Sequence, residues 1–322
     1  MNVRRQHISG IAIAAATALG LGTLSACSSD SAAAGNTEKF DVVASFYPMA
    51  FLAEQIGGDH VNVTSLTEPG QEPHDLEISA KQTAQLQESD AALYLKGLQP
   101  SVDEAISQSE VKTKIDAASL TTLEDHGNLE EDGHGHGGEE EEHSGEEESA
   151  LDPHIWLDPV RYAQVAEGVG KAFEKADPDN AADYKKNTAD LVKKLGDLNT
   201  QFEDGLKNTE TKVFFTNHAA FSYLAERYGL TMEAISGLDP ESEPSAARMK
   251  ELQEEAKADG VTTVFYETLV SDKTAKTLAD DAGLKTDVLD PLEGITDKSR
   301  GDDYFQVMES NLKALQTALG AK

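Results

Sequence analysis

Short runs of β-branched and aromatic residues alternate with amphipathic stretches of helical length through most of the chain. In the first half, residues 41–46, 61–66 and 91–95 have the pattern of strands, and residues 49–56 and 79–88 have the pattern of helices. The second half repeats the alternation, with strands predicted at 212–216, 231–235, 261–266 and 286–289 and helices at 219–228, 246–258, 273–281 and 304–319. Strands and helices in turn favour mostly parallel sheets covered on both faces. The pattern therefore predicts two α/β halves.

A longer amphipathic stretch at residues 179–206 separates the two halves. Its apolar positions recur at spacings of three, four and seven: Tyr184, Leu191, Leu195, Leu198 and Phe202. This periodicity predicts one helix of about 28 residues, roughly 40 Å long. We interpret it as a rigid link between a first lobe at 40–178 and a second lobe at 207–322; the alternative is one long helix within a single domain.

The N-terminal segment has the pattern of a secretory signal. Basic residues are followed by an apolar run from Ile8 to Leu24, and the short sequence that ends it, Leu24-Ser25-Ala26-Cys27, resembles the bacterial lipobox. We predict a signal peptide at 1–26, acylation of Cys27, for example by palmitate, and a flexible tether at 27–39. The protein is then expected on the extracytoplasmic face of the cell membrane, held by its lipid. A membrane-spanning segment and an idle thiol are the alternatives.

The segment at residues 124–149 differs in kind from the rest of the chain. It is rich in Asp, Glu and Gly, contains no basic residue, and carries His126, His134, His136 and His143. Such a segment buries too little apolar surface to offset its ordering entropy, so we predict a disordered loop. A solvated charge run is the simplest interpretation, but the density of histidine favours accessory metal capture.

The net charge of the chain limits the classes of partner that it can bind. Lys and Arg number 27 against 59 Asp and Glu, a formal net charge of −32. A field of this sign repels phosphate backbones and attracts cations, so nucleic-acid binding is not expected.

Three other histidines follow predicted strands or stand in distinctive motifs. His74 precedes the predicted helix at 79–88, His154 lies in an Asp-Pro-His-Ile-Trp-Leu-Asp-Pro block, and His218 ends the first strand of the second half. Ligands of open α/β sheets gather at the carboxyl ends of strands, so the three imidazoles can converge. Imidazole nitrogen suits Zn²⁺ better than it suits Mn²⁺. Their spacing matches no local zinc motif.

These motifs together resemble one family. They are, in chain order, Ala44-Ser45-Phe46-Tyr47-Pro48, Glu72-Pro73-His74-Asp75, the block from Asp152 to Pro159, Thr216-Asn217-His218-Ala219-Ala220-Phe221 and Leu289-Asp290-Pro291-Leu292-Glu293-Gly294. In their order and spacing the chain is similar to the zinc-binding lipoprotein receptors of bacterial ABC importers. This cluster of solute-binding proteins also contains manganese receptors.

The resemblance implies two Rossmann-like α/β lobes bridged by one long rigid helix, with one metal ion in the cleft between them. By the same resemblance, His74 and His154 would bind the metal from the first lobe and His218 from the second. Manganese-binding relatives have glutamate at the position of His218, which favours zinc here. For the fourth position we expect Glu293, with Asp290 second and water third.

Other residues near these motifs are given smaller roles. Glu72 is an alternative oxygen ligand, and Trp156 and Phe221 are expected to pack around the metal ligands. His60, after two glycines and an aspartate, is expected in an exposed turn.

The expected function is that of an extracytoplasmic receptor, not an enzyme. A monomer would capture Zn²⁺ and deliver it to the transmembrane subunit of an ABC permease with its cytoplasmic ATPase. A manganese receptor is the nearest alternative; a zinc hydrolase and an adhesin with a structural metal are the others. Since imidazole must be neutral to bind a metal, affinity should fall as pH drops through about 6.5.

Overall fold

The computed structural model describes residues 39–126 and 151–322. From Glu38 to Lys322 the chain forms one compact unit. Among the described residues no helix has the combination of length and apolar character that crossing a membrane requires. The predicted signal peptide, Cys27 and most of the tether lie outside the described residues, as does most of the histidine-rich segment.

The first lobe is built on a four-stranded parallel sheet. Its strands are β1 (Phe40–Ala44), β2 (Val61–Ser65), β3 (Ala91–Tyr94) and β4 (Thr113–Asp116), in the spatial order β2-β1-β3-β4. Its helices are α1 (Tyr47–Gly57), α2 (Ala80–Glu88), α3 (Pro100–Gln108) and α4 (Pro159–Ala176). Short 3₁₀ turns occupy Gly58–His60, Ala117–Leu120 and Ile155–Leu157. The order reverses direction between β1 and β3, as in doubly wound folds.

The second lobe repeats this plan. Its strands are β5 (Val213–Thr216), β6 (Thr231–Ala234), β7 (Thr263–Tyr266) and β8 (Lys285–Val288), all parallel, in the order β6-β5-β7-β8. Its helices are α6 (Ser222–Tyr228), α7 (Ala246–Ala258), α8 (Lys273–Ala282) and α9 (Tyr304–Leu319). The predicted α/β alternation of both halves is confirmed.

A single long helix, α5 (Ala181–Leu206), joins the lobes, preceded by a 3₁₀ turn at Pro178–Asn180. All five apolar positions that predicted it are buried. It packs along α4 and also contacts α1 and α9. The prediction of a bridging helix at 179–206 is therefore confirmed to within two residues at its start.

Helix α9 provides a second connection that the sequence pattern did not predict. Although it follows the second sheet, its first residue, Tyr304, packs against first-lobe aromatic rings. The ring centroids lie 5.3 Å from Phe51 and 4.9 Å from Tyr162. The Tyr304 hydroxyl also donates to the carbonyl of Trp156 at 2.7 Å. One apolar core consequently runs through residues of both lobes.

Candidate metal centre

Four predicted site residues meet between the lobes. His74 lies in the loop between β2 and α2, and His154 lies just before the 3₁₀ turn that leads into α4. His218 follows β5 and Glu293 follows β8. One donor atom from each of these side chains can be chosen so that all four lie within 4.8 Å of one another. The carboxyl ends of parallel strands thus place donors from distant parts of the chain in one cleft.

The distances among the donor atoms fit a tetrahedral ion. Glu293 Oε1 lies 3.4 Å from His74 Nε2, 3.5 Å from His154 Nε2 and 3.4 Å from His218 Nε2. The Nε2 atoms of His154 and His218 are 3.3 Å apart. A tetrahedron with metal–ligand bonds of 2.0–2.1 Å has edges of about 3.3–3.4 Å. These four distances therefore match the edges of a tetrahedral zinc site.

Burial distinguishes one donor from the other three. The side chains of His154, His218 and Glu293 have no solvent exposure, whereas that of His74 is 12% exposed. Glu293 Oε2 is also buried and has no hydrogen-bond partner within the described residues. A buried carboxylate oxygen of this kind indicates a missing partner, and a cation satisfies it. His74 is therefore the one candidate donor among the four whose side chain reaches solvent.

The charges of the site are strongly coupled. Burial by itself would raise the pKa of Glu293, but hydrogen bonds to the three imidazoles hold that pKa well below its usual value. Burial acts in the opposite direction on the histidines. The pKa of His154 is nevertheless raised by Asp152 and Glu293, and that of His218 is raised well above its usual value by Glu267 and Glu293. The cleft therefore attracts positive charge, which protons or a metal ion can supply.

Two buried carboxylates orient two of the imidazoles. Asp152 Oδ1 lies 2.7 Å from His154 Nδ1, and Glu267 Oε1 lies 2.6 Å from His218 Nδ1. Each carboxylate also accepts the backbone N–H of the same histidine. A carboxylate on Nδ1 fixes the proton there and leaves Nε2 free to bind a metal. Neither carboxylate was assigned this role from the sequence.

The segment before Glu293 is held in an uncommon conformation. Leu292 has φ of 60°, the only positive φ of a non-glycine residue among the described ones, and it is fully buried. Asp290 Oδ1 accepts the N–H of Leu292 at 2.9 Å, and Trp156 Nε1 donates to the carbonyl of Pro291 at 2.7 Å. Backbone strain of this kind persists only where surrounding contacts impose it. These contacts direct the Glu293 side chain into the cleft.

The alternative oxygen donors lie outside the four-residue group. Asp290 uses Oδ1 to cap Leu292, and its Oδ2 accepts from the hydroxyl of Thr268 at 3.2 Å. Glu72 Oε2 accepts the N–H of Asp75 at 3.3 Å within the same loop as His74. Burial and the charge of Glu293 raise the pKa of Glu72 to about 7. Both carboxylates therefore shape the loops that carry the donors.

The remaining sequence-predicted residues fall in three places. Trp156 and Phe221 are buried as expected, and the Trp156 ring centroid lies 5.1 Å from that of His154. His60 lies in the 3₁₀ turn after α1, where Nε2 is 2.9 Å from Asp183 Oδ2 of α5. His126 is part of the described structure and contacts Asp152. The accessory residues His134, His136 and His143 lie outside the described residues, so the disordered loop stays a prediction.

Comparison with known families agrees with this geometry. Residues 42–318 match the ZnuA family, described as the periplasmic component A of a zinc-uptake complex. The chain belongs to this family. The matched range contains most of both sheets, the bridging helix and the positions of the four candidate donors, so it extends over both lobes.

Relatives of the ZnuA family are similar over most of the chain. The zinc-binding lipoprotein AdcA of Streptococcus pneumoniae is 40% identical over 299 residues, which are 91% of this chain and 58% of AdcA. The chain thus spans little more than half of that relative. The high-affinity zinc uptake system protein ZnuA of Bacillus subtilis is 35% identical over 325 residues, 94% of this chain and 98% of that protein.

A solved structure shows the same fold. The crystal structure of the Zn(II)-bound ZnuA-like domain of S. pneumoniae AdcA superposes with a TM-score of 0.71 at 35% identity, covering 88% of this chain and 99% of that domain.

Proposed function

We propose that this protein is an extracytoplasmic receptor that binds Zn²⁺ with His74, His154, His218 and Glu293 and delivers it for uptake. The observation that carries the proposal is the near-equal spacing of Glu293 Oε1 from three imidazole Nε2 atoms, at 3.4, 3.5 and 3.4 Å. Three nitrogens and one carboxylate oxygen at tetrahedral spacing suit Zn²⁺. Zinc is the cargo of this site, and the protein carries out no chemical step on it.

Metal content tests the choice of ion. The protein is purified from medium containing equal concentrations of zinc and manganese, and bound metals are measured by mass spectrometry. We expect about one tightly held zinc ion per chain and little manganese, because manganese sites favour oxygen donors. Preferential retention of manganese would support the alternative receptor instead. Anomalous scattering at the zinc edge would then locate the ion.

Affinity tests which residues bind the ion. His218→Ala removes one imidazole and leaves the buried carboxylates of Glu267 and Glu293 without it as a partner. We therefore expect zinc to bind at least tenfold more weakly. The matched comparison replaces residues 127–149 with a short Gly-Ser linker. This is feasible because the flanking residues are adjacent, with the N–H of Asp152 donating to the carbonyl of Glu124 at 2.9 Å. Equally large losses of zinc affinity in both variants would show that the primary site includes the replaced segment.

The delivery step and the membrane location extend the proposal. The family description as a zinc-uptake component and the name lipoprotein of the S. pneumoniae relative support them. We propose that acylated Cys27 anchors a monomer outside the cytoplasm, next to an ABC permease transmembrane subunit with its cytoplasmic ATPase. Cys27→Ser should release the protein from the membrane fraction and abolish palmitate incorporation. Continued membrane association of that variant would argue for a different anchor.

A further inference from the structure

The hydroxyl of Tyr223 forms two hydrogen bonds across the boundary between the lobes. Tyr223 lies in α6 of the second lobe, and its side chain is buried. The hydroxyl donates to the carbonyl of Asp152 at 2.8 Å and accepts the N–H of Glu124 at 2.8 Å. These two first-lobe residues are also joined to each other, since the N–H of Asp152 donates to the carbonyl of Glu124 at 2.9 Å. One second-lobe side chain therefore closes a junction between two first-lobe segments.

The surroundings of Tyr223 keep its hydroxyl in place as a donor. The guanidinium of Arg161 lies 4.5 Å from the centroid of the Tyr223 ring, and the His126 ring lies 4.5 Å from it with the planes at 74°. Cation–π and edge-to-face contacts of this kind stabilise an aromatic ring. Burial raises the pKa of Tyr223 to about 12, so the hydroxyl keeps its proton near neutral pH. The hydrogen bond to Asp152 is therefore available under the conditions in which zinc binds.

The residue that accepts this hydrogen bond is the one that orients a proposed zinc ligand. Asp152 Oδ1 accepts the backbone N–H of His154 at 2.9 Å and lies 2.7 Å from His154 Nδ1. Proline follows Asp152, which restricts residue 152 to extended backbone conformations. A hydrogen bond that fixes the carbonyl of Asp152 therefore also limits the directions that its carboxylate can take. The Tyr223 hydroxyl is thus connected to the His154 ring through a single residue.

A proposed ligand of the second lobe belongs to the same short segment as Tyr223. Residues 218–223 lead from the end of β5 into α6, and they begin with His218. Its Nε2 atom lies 3.3 Å from Nε2 of His154. Tyr223 acts near the other ring nitrogen of His154, through Asp152. One segment of the second lobe therefore influences both nitrogens of a first-lobe imidazole.

We propose that Tyr223 is a positioning residue for zinc binding: its hydroxyl, from the second lobe, holds Asp152 of the first lobe so that Asp152 orients His154. The inference rests on the proposed function, because it takes zinc as the ion that His154 binds. It adds a dependence of one lobe on the other. If the lobes part to release zinc, His154 loses an orienting contact at the same time as the ion loses His218 and Glu293. The binding geometry of the first lobe thus depends on the position of the second.

Zinc affinity of the full chain tests the proposal. Tyr223→Phe removes only the hydroxyl, and competition with a zinc chelator should show a dissociation constant about three to ten times higher. This loss is smaller than the roughly 10- to 100-fold usual for a direct partner of a ligand, because Tyr223 acts through Asp152. Tyr162→Phe is the matched control, since it removes another buried hydroxyl, which donates to the carbonyl of Pro48 at 2.6 Å. The control should keep zinc affinity within about twofold.

A double-mutant cycle tests the route through Asp152. Asp152→Ala removes the carboxylate, so adding Tyr223→Phe to it should weaken zinc binding by less than about twofold further. An equal effect of Tyr223→Phe with and without the carboxylate would overturn the proposal. Equal zinc affinities of Tyr223→Phe and Tyr162→Phe would also overturn it, because the hydroxyl would then have no particular role at the site.

A measurement on the metal-free protein separates this proposal from the proposed function. In protein labelled with nitrogen-15 at histidine, the proton on His154 Nδ1 should give a magnetic resonance signal that exchanges slowly with water, assigned by its absence from His154→Gln. Tyr223→Phe should speed that exchange at least tenfold, whereas Tyr162→Phe should not change it. Unchanged exchange in Tyr223→Phe would overturn the positioning role. Failure of the unsubstituted chain to bind zinc tightly would instead contradict the proposed function.

Discussion

At the scale of single residues, the candidate centre contains two carboxylates that orient the imidazoles and are not themselves proposed as metal ligands. Asp152 and Glu267 are buried, and each accepts both the Nδ1 and the backbone N–H of one histidine. Such contacts fix the orientation of the ring and keep a proton on Nδ1, so Nε2 is the nitrogen that faces the ion. Pre-organisation lowers the entropy cost of binding, which favours high affinity.

Glu267→Gln tests the orienting role. The substitution preserves size but removes the negative charge, and it places an amide at the buried Oε2 position, which has no hydrogen-bond partner within the described residues. We expect zinc to bind about tenfold more weakly, at the lower end of the effect usual for such partners. Competition titration with a zinc chelator measures the change. Glu254→Gln, on the exposed side of α7, should leave affinity unchanged. Identical affinities of the two variants would assign Glu267 a merely structural role.

The pH dependence of zinc binding follows from the same contacts. The pKa of His154 and that of His218 are both raised, whereas the pKa of Glu293 is lowered, so the metal-free site holds protons on imidazole and not on the carboxylate. Zinc must displace those protons. Affinity should therefore begin to fall while the pH is still above about 6.5, the ordinary histidine value. This onset is higher than the sequence alone indicates.

Calorimetry in buffers of different ionisation enthalpy would count the protons released when zinc binds. We expect release near neutral pH, declining at alkaline pH where the histidines are already neutral. Affinity that stays constant from alkaline pH down to pH 6 would contradict the raised pKa values.

The four proposed donors could be named from the sequence, but the residues that support them could not. His74, His154, His218 and Glu293 stand in motifs at strand ends, and the resemblance to a family assigned them together. Glu267 stands in no motif that was recognised, since its role depends on the pairing of β5 with β7. Nothing in the sequence indicates the positive φ of Leu292 either, because leucine is not a residue that favours this conformation. Such features arise from tertiary packing.

At the scale of elements, the apolar pattern at residues 179–206 predicts helix α5 closely, whereas the pattern elsewhere does not predict strand β4 or helices α3 and α4. Helix α5 has seven buried residues at helical spacing, and its limits were predicted closely. Strand β4 has one buried residue among four, Ile115, so its sequence resembles that of a loop. Helix α3 buries only Val102 and Ile106. Helix α4 carries a usable signal, an Asp158 cap followed by proline and an apolar stripe, but only the block from Asp152 to Pro159 enters the prediction, as part of the family resemblance.

Helices α4 and α5 approach closely at one glycine. A Cβ atom at Gly170 of α4 would overlap the Thr188 hydroxyl of α5, which is buried and donates to the carbonyl of Tyr184. Gly170→Ala should therefore destabilise the protein by about 1–3 kcal/mol through overpacking. Urea unfolding of the metal-free protein measures the free energy.

Two further variants make that measurement specific. Gly196→Ala lies on α5 with no atom within 4 Å of the added Cβ, so it should stabilise the helix by up to about 1 kcal/mol. Thr188→Ala should reduce the cost of Gly170→Ala, because it removes the overlapping hydroxyl. Additive effects of Gly170→Ala and Thr188→Ala would show that the two positions do not compete for the same space.

At the scale of the whole molecule, the two lobes are joined by polar contacts as well as by α5 and α9. Arg227 of α6 binds the buried Asp158 at 2.6 Å, and Trp156 reaches the carbonyl of Pro291 at 2.7 Å. The Tyr223 hydroxyl donates to the carbonyl of Asp152 at 2.8 Å. These contacts join the two lobes around the candidate centre. Zinc then adds a further bond between them.

Zinc should therefore stabilise both lobes together. Because His74 and His154 belong to the first lobe and His218 and Glu293 to the second, an ion bound by all four opposes the unfolding of either. Free zinc at 1,000 times its dissociation constant adds about 4.1 kcal/mol to the free energy of unfolding. For a chain of this size that raises the melting temperature by on the order of 10 °C. Calorimetric melting with and without zinc measures the shift, and hydrogen exchange should show protection of both β1 and β5.

His218→Ala should lose most of the shift in melting temperature. His60→Gln, which removes a histidine paired with Asp183 outside the centre, should keep it. Protection confined to the first lobe would mean that the second lobe contributes no bond to the ion.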